Sequence, residues 1–150
     1  MIQRIQSVWL LVAALLSMLL FVFNIVTITY DGTGSEINQS FKLLGFGVQG
    51  YLLAALAIVL VALPLIAIFM FKNRKKQILM TVLAMVLNFG FVAFSVMSIS
   101  SFTTSHTPAV TGSSYGMGAF VPVVTVIFLF MAIRGMRKDD KLVKSADRLR

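Results

Sequence analysis

The short stretch KNRKK, Lys72 to Lys76, decides the fold class because it separates two long segments that carry no charge. The 29 residues between Lys42 and Lys72, and the 57 residues between Lys76 and Arg134, contain no Asp, Glu, Lys or Arg. A helix needs about 20 apolar residues to cross the hydrocarbon core of a membrane. The first segment therefore predicts one transmembrane helix, and the second has room for two.

The composition also indicates a membrane protein of one domain. Of the 150 residues, 59% are hydrophobic and 12% are charged, and the mean hydropathy is +0.95. Soluble domains carry about 25% charged residues. The net charge of +8 would suggest nucleic-acid binding in a soluble protein, but membrane proteins concentrate Lys and Arg beside the cytoplasm. Cysteine is absent, which excludes disulfides and thiolate chemistry.

These segments, with the 26 uncharged residues between Arg4 and Asp31, predict an all-α membrane protein: a four-transmembrane-helix bundle in a single domain. A stretch rich in Ser, Thr and Gly separates the last two helices. We expect spans at about 7–28, 50–71, 78–97 and 116–133, outer loops at 29–49 and 98–115, a cytoplasmic loop at 72–77 and a cytoplasmic tail at 134–150.

The distribution of basic residues predicts the orientation. This topology puts 12 of the 13 Lys and Arg residues on one side of the membrane, and only Lys42 on the other. The positive-inside rule then places both termini in the cytoplasm. Tyr30, Tyr51 and Tyr115 fall at the outer ends of spans and Trp9 at an inner end, as expected for rings that favour membrane interfaces.

Two local patterns lie outside the spans. Asp31-Gly32 separates two short runs of alternating polarity, which predicts a small β-hairpin in the first outer loop. In the tail, we expect Gly135 to interrupt the last helix and 139–150 to form a short amphipathic helix along the cytoplasmic headgroups.

Few residues suggest chemistry, and we predict no catalytic, cofactor or metal site. No span contains a charge, which argues against an ion-coupled transporter. His106 is the only histidine and has no carboxylate near it in sequence to share a metal. Asn88, the most polar residue of the third span, is interpreted as an interhelical polar contact rather than a ligand contact.

The basic residues of the cytoplasmic loop and tail are the candidate contacts with anionic lipids or with a partner. Juxtamembrane cations commonly only anchor the topology, and docking of a membrane-protein partner or a second copy is the alternative. Nucleic-acid binding is not expected, because acids interrupt the tail and it holds no stacking aromatics. The candidate residues are Lys72, Arg74, Lys75, Lys76, Arg137, Lys138, Lys141, Lys144, Arg148 and Arg150.

The two ends of the chain carry a family resemblance. MIQRIQSVWLL at the start and YGMGAFVPVVTVIFLFMAIRGMRKDDKLVKSADRLR at the finish resemble a bacterial family of small four-helix integral membrane proteins, catalogued as a domain of unknown function. The segment from Ile133 to Arg150 is the most specific part, and the middle helices match only in hydropathy. The resemblance implies a multi-pass protein of the inner membrane and supplies no activity.

Three functions remain open at this point. The leading hypothesis is a non-enzymatic accessory or scaffold subunit of a membrane assembly, because the most patterned segment is the tail and not a pocket. The second is a small oligomeric channel or transporter for an uncharged solute. The third is a membrane enzyme, for which the sequence offers no base, nucleophile or set of metal ligands.

Overall fold

The computed structural model describes residues 2–32, 35–71, 73–105 and 110–147. Within these residues the chain forms four α-helices and one small antiparallel sheet. Short 3₁₀ helices follow α1 and precede α2 and α4. In chain order the main elements are α1 (Ile2–Met18), β1 (Val26–Gly32), β2 (Ser35–Phe41), α2 (Gly47–Phe69), α3 (Arg74–Ser105), β3 (Val110–Tyr115) and α4 (Val121–Asp147).

The helices pack side by side in a closed order. α1 contacts α2 and α4, and α3 contacts the same two helices from the other side. The three strands come from the connections α1–α2 and α3–α4 and join in one sheet of order β2-β1-β3, so both connections lie at one end of the helices. We call this the sheet end. The tight turn between α2 and α3, the start of α1 and the last part of α4 lie at the opposite end, which we call the turn end.

Buried residues on α2 and α3 recur at alternating spacings of three and four, the pattern of a helix that packs along one seam. The remaining faces expose large apolar side chains along their whole length. Such surfaces are rare on soluble proteins and suit lipid. The exposed set includes Val8, Leu11, Leu15, Leu52, Ile58, Ile66, Leu79, Val86, Phe89, Val96, Val123, Ile127 and Phe130.

Three helices within the described residues are long and apolar enough to cross a membrane, and they belong to α2, α3 and α4. Between 28% and 39% of each apolar window is buried within the protein, so most of each window faces outward. The chain is therefore a membrane protein by length, composition and surface. α1 contributes a shorter apolar helix over Gln6–Phe21.

The predicted hairpin is confirmed, but Asp31 and Gly32, which were expected to separate its strands, belong to β1. β1 pairs antiparallel with β2 from Val26 opposite Phe41 to Gly32 opposite Ser35. Val26 is buried against the helices, whereas the hydroxyl of Thr27 lies 3.1 Å from that of Ser40 on the exposed surface. Four consecutive β-branched residues, Val26–Thr29, favour this extended segment.

The third strand was not predicted. Residues 98–115 were expected to form a loop, but α3 continues to Ser105 and β3 then pairs with the free edge of β1. The sequence VTGSSY of β3 lacks the apolar alternation that signals a strand, and its partner lies far away in the chain. Val26–Ile28, which were expected to end the first span, belong to β1 because the helical segment stops at Phe21.

Two glycines allow the segment before α4 to lie close to the backbone between the 3₁₀ helix after α1 and β1. The Gly116 N–H donates to the carbonyl oxygen of Ile25, and the Gly118 N–H donates to that of Asn24, each at 2.9 Å. A Cβ on Gly118 would lie 2.8 Å from the Asn24 oxygen, and one on Gly116 would overlap that oxygen. The Gly116 backbone is extended, with φ of −79°, so close approach and not unusual backbone geometry requires glycine there.

The prediction that Gly135 interrupts the last helix is wrong. α4 runs without a break from Val121 to Asp147, so 139–147 continue α4 instead of forming a separate helix. Gly135 serves as a packing position, because a Cβ there would lie 3.1 Å from Cγ of Gln6 on α1. One glycine inside a helix costs about 1 kcal/mol relative to alanine, which is less than a well-packed helical contact supplies.

Replacing Gly116 by alanine should lower the free energy of unfolding by about 1–3 kcal/mol, because the new methyl group would overlap the Asn24 carbonyl. Gly90→Ala is the matched control, since nothing lies within 4 Å of a Cβ at that position. Unfolding in mixed micelles, followed by circular dichroism, gives both values. Equal stability of the two variants would contradict the close approach.

Candidate functional site

Polar side chains gather at the turn end, where an apolar protein would be expected to bury only apolar groups. Gln6, Gln77 and Asp139 are each less than 7% exposed. Gln6 Nε2 donates a hydrogen bond to Asp139 Oδ2, which joins α1 to α4. Arg74, at the start of α3, is half-buried beside them. We call these four residues the turn-end cluster.

Two atoms of this cluster are buried without a hydrogen-bond partner among the described residues: Asp139 Oδ1 and Arg74 Nη1. A small cavity of about 30 Å³ lies between Gln6, Ser7, Phe71, Arg74 and Gln77. Buried charged groups are costly unless they are paired or hydrated. A polar cavity of this size can accommodate a water molecule. The cluster is thus a polar junction between α1, α3 and α4.

α3 carries a polar seam into the protein interior. Gln77, Thr81, Asn88, Ser95 and Ser98 are buried at spacings that keep them on one side of the helix. The hydroxyls of Thr81, Ser95 and Ser98 donate to the carbonyl oxygens four residues earlier at 2.7–2.8 Å. Such bonds satisfy hydroxyl donors inside lipid-embedded helices.

The other two buried hydroxyls follow the same rule. Ser17 on α1 donates to the Ala13 carbonyl at 3.0 Å, and Thr125 on α4 donates to the Val121 carbonyl at 2.9 Å. All five hydroxyl groups that are buried among the described residues therefore use their hydrogens within their own helices.

Asn88 lies in the middle of the seam and is only 1% exposed. Its neighbours along the seam are Ala84 and Phe91, which are also buried. Its Oδ1 has no hydrogen-bond partner among the described residues. The interhelical hydrogen bond expected of Asn88 stays a prediction, although its position in the interior is the one that such a contact needs.

An apolar cavity of about 220 Å³ opens between α3 and α4 toward the sheet end. Phe91, Ser95 and Ile99 on α3 face Phe120 and Pro122 at the start of α4 across it. Since the Ser95 hydroxyl hydrogen is directed to the Phe91 carbonyl, the cavity offers an apolar surface.

The structure brings the described basic candidates together at the turn end. Lys75 and Lys76 are exposed at the start of α3, next to the half-buried Arg74, and Arg137 and Lys138 are exposed on α4. Their contacts with lipid or a partner stay predictions. Lys72, Arg148, Arg150 and also His106 lie outside the described residues, as do the side chains of Lys141 and Lys144 on α4.

Gln6 and Asp139 are the site residues that the sequence did not reveal. Asp139 was expected to start an amphipathic helix, where its charge would favour the N-terminal dipole. It lies instead inside α4, buried against Gln6. The spacing of the buried residues Leu129, Ala132 and Met136 continues to Asp139 and is the signal that could have found it.

The carboxylate of Asp139 could be considered as a metal ligand. Among the described residues, however, no group of three or more His, Asp or Glu side chains is arranged to hold a metal ion. The turn-end cluster contributes one carboxylate, two amides and one guanidinium, a set suited to hydrogen bonding between helices.

Gln6→Ala should destabilise the protein by about 2 kcal/mol, because it removes the donor to a buried carboxylate. Gln39→Ala, on the exposed surface of β2, is the control and should change stability by less than about 0.5 kcal/mol. Both are measured by unfolding in mixed micelles. If Gln6→Ala behaves like the control, the contact between α1 and α4 does not contribute to stability.

Comparison with known proteins agrees with the resemblance carried by the two ends of the chain. Neither the curated proteins nor the solved structures include a match. One family model, described as a domain of unknown function (DUF4293), matches residues 2–149. Since that match covers almost the whole chain, the protein belongs to the DUF4293 family.

Proposed function

We propose that all four helices cross the inner membrane of a bacterium, with both termini and the loop 72–77 in the cytoplasm. α2, α3 and α4 have the required length. The apolar part of α1 and the 3₁₀ helix after it, Gln6–Phe21, spans about 25 Å at 1.5–2.0 Å per residue. That length is slightly less than the hydrocarbon core of about 30 Å, and local thinning of the bilayer accommodates a difference of this size.

Contacts at both ends of α1 support its crossing. At the turn end Gln6 meets Gly135 and Asp139 of α4. At the sheet end the Asn24 carbonyl meets Gly118, just before α4 begins. α1 and the 3₁₀ helix after it therefore lie beside the whole apolar part of α4. If that part of α4 is in the membrane, α1 is in the membrane as well.

The orientation rests on the described basic residues. Arg74, Lys75, Lys76, Arg137 and Lys138 are at the turn end, whereas Lys42 follows β2 at the sheet end. The positive-inside rule then favours the cytoplasm for the turn end and the periplasm for the sheet.

Within this topology we infer that the protein is a non-enzymatic accessory or scaffold subunit of a membrane assembly. The observation that carries this inference is that the five hydroxyls buried in the part of the chain that the structure describes donate within their own helices. These buried hydroxyls therefore offer no hydrogen-bond donor to another molecule, and the interior serves to pack the helices together. Among the described residues, exposed polar groups lie at the two ends: the hydroxyls and amides of the sheet, which also bond to one another, and the cations of the turn end.

The same observation weighs against the channel alternative. A path for an uncharged solute would need polar groups that can exchange partners with the solute along its length. The polar seam of α3 is interrupted by Ala84 and Phe91, and its hydroxyl donors are already engaged. The enzyme alternative would require a nucleophile and a base within reach of each other, and the turn-end cluster instead pairs a carboxylate with an amide.

A photo-crosslinking side chain at Ser40 or Lys75 should give a discrete adduct of higher mass in native membranes, because these positions are exposed at the two polar ends. Leu79, which is 67% exposed on the apolar surface of α3, is the matched control and should crosslink to lipid alone. Mass spectrometry of the adducts identifies the partner or a second copy. Absence of protein adducts at both test positions, with monomers recovered in mild detergent, would contradict the scaffold role.

A further inference from the structure

A groove along the turn-end part of α4 combines apolar and basic side chains. It has a volume of about 370 Å³ and is lined by Phe130, Ile133, Arg134, Arg137 and Lys138. Spacings of three and four residues place all five on one side of the helix. Arg134 was not among the residues that the sequence indicated as contacts.

The character of the groove changes along the helix axis. Phe130 is 58% exposed and forms its apolar part, with the buried Ile133 beneath it. Within the next two helical turns follow the exposed cations Arg134, Arg137 and Lys138. This change occurs where the uncharged segment of α4 ends, the level at which the hydrocarbon core of a membrane gives way to headgroups.

Two acidic residues, Asp139 and Asp140, follow these cations on α4, and neither lines the groove. Asp139 accepts the hydrogen bond from Gln6 on α1. The described residues that line the groove therefore present three positive charges and no negative one.

We propose that this groove binds one anionic phospholipid. Arg134, Arg137 and Lys138 hold the headgroup phosphate, and an acyl chain lies against Phe130 and Ile133. A guanidinium can donate two parallel hydrogen bonds to the oxygens of one phosphate. Such a pair depends on geometry, whereas attraction between opposite charges alone does not. The proposal rests on the proposed function in one respect: the turn end lies at the membrane surface.

A lipid fits this groove better than a soluble phosphate compound does. The apolar part would stay exposed to water beside a free phosphate, whereas an acyl chain covers Phe130. Because the cations begin one helical turn after Phe130, headgroup and chain can be held at the same time.

The test titrates the purified full-length protein in detergent micelles with dioctanoyl phosphatidylglycerol and counts bound lipid by native mass spectrometry. The wild-type protein should bind one molecule with preference over dioctanoyl phosphatidylcholine, and glycerol phosphate should not compete. Replacing Arg134 and Arg137 together by glutamine should weaken phosphatidylglycerol binding by about 30-fold. Phe130→Ala should also weaken it, by removal of the apolar wall.

Lys75→Gln with Lys76→Gln is the matched control, since it removes the same charge from the same end but outside the groove. It should leave the affinity within about twofold. Equal losses in the two double variants, or equal binding of phosphatidylcholine, would overturn the groove as a specific site. Because the measurement uses isolated protein, a negative result would leave the proposed topology and scaffold role intact. Equally, a failure of the topology or of the scaffold role would not change the measured lipid affinity.

Discussion

The contact between α1 and α4 is the constraint on which the rest of the arrangement depends. It closes the packing order of the helices, and it brings the first turns of α1 next to the last part of α4. At the turn end it consists of the Gln6–Asp139 hydrogen bond and of Gly135, which leaves room for Gln6. A shift of one helical turn would leave the Asp139 carboxylate buried without its donor, which is costly in an apolar environment. The polar contact therefore fixes the register of the two helices.

The charge pattern predicted much of the fold because lipid imposes a simple requirement. Segments without charge that exceed about 20 residues identify the long helices directly. The alternating polarity on both sides of Asp31-Gly32 indicated the hairpin, although Asp31 and Gly32 themselves belong to β1 and pair with Glu36 and Ser35. β3 could not be found in this way, because its pairing with β1 joins residues that are far apart in the chain and its own sequence is polar and small. Gly135 was misinterpreted for a related reason. A glycine in the sequence suggests the end of a helix, and only the structure shows that Gln6 packs against it.

The candidate site was less predictable than the fold. The basic residues at the turn end follow from composition, but their division into separate surfaces does not. Arg74 belongs to the buried turn-end cluster, Lys75 and Lys76 are exposed beside it, and Arg137 lines the groove on α4. Hydropathy treats these cations alike. Their different surroundings separate the groove that we propose for a lipid headgroup from a second exposed basic surface, which the proposed scaffold role leaves for a partner.

Labelling of single cysteines tests the central claim, that α1 crosses the membrane beside α4, most directly. The chain has no cysteine of its own, so Gln3→Cys and Ser40→Cys provide one reactive site before and one after the apolar helix Gln6–Phe21. A membrane-impermeant maleimide should label Ser40→Cys in intact cells with a permeable outer membrane, and should label Gln3→Cys only after the inner membrane is opened. Labelling of both positions from the same side would contradict that claim.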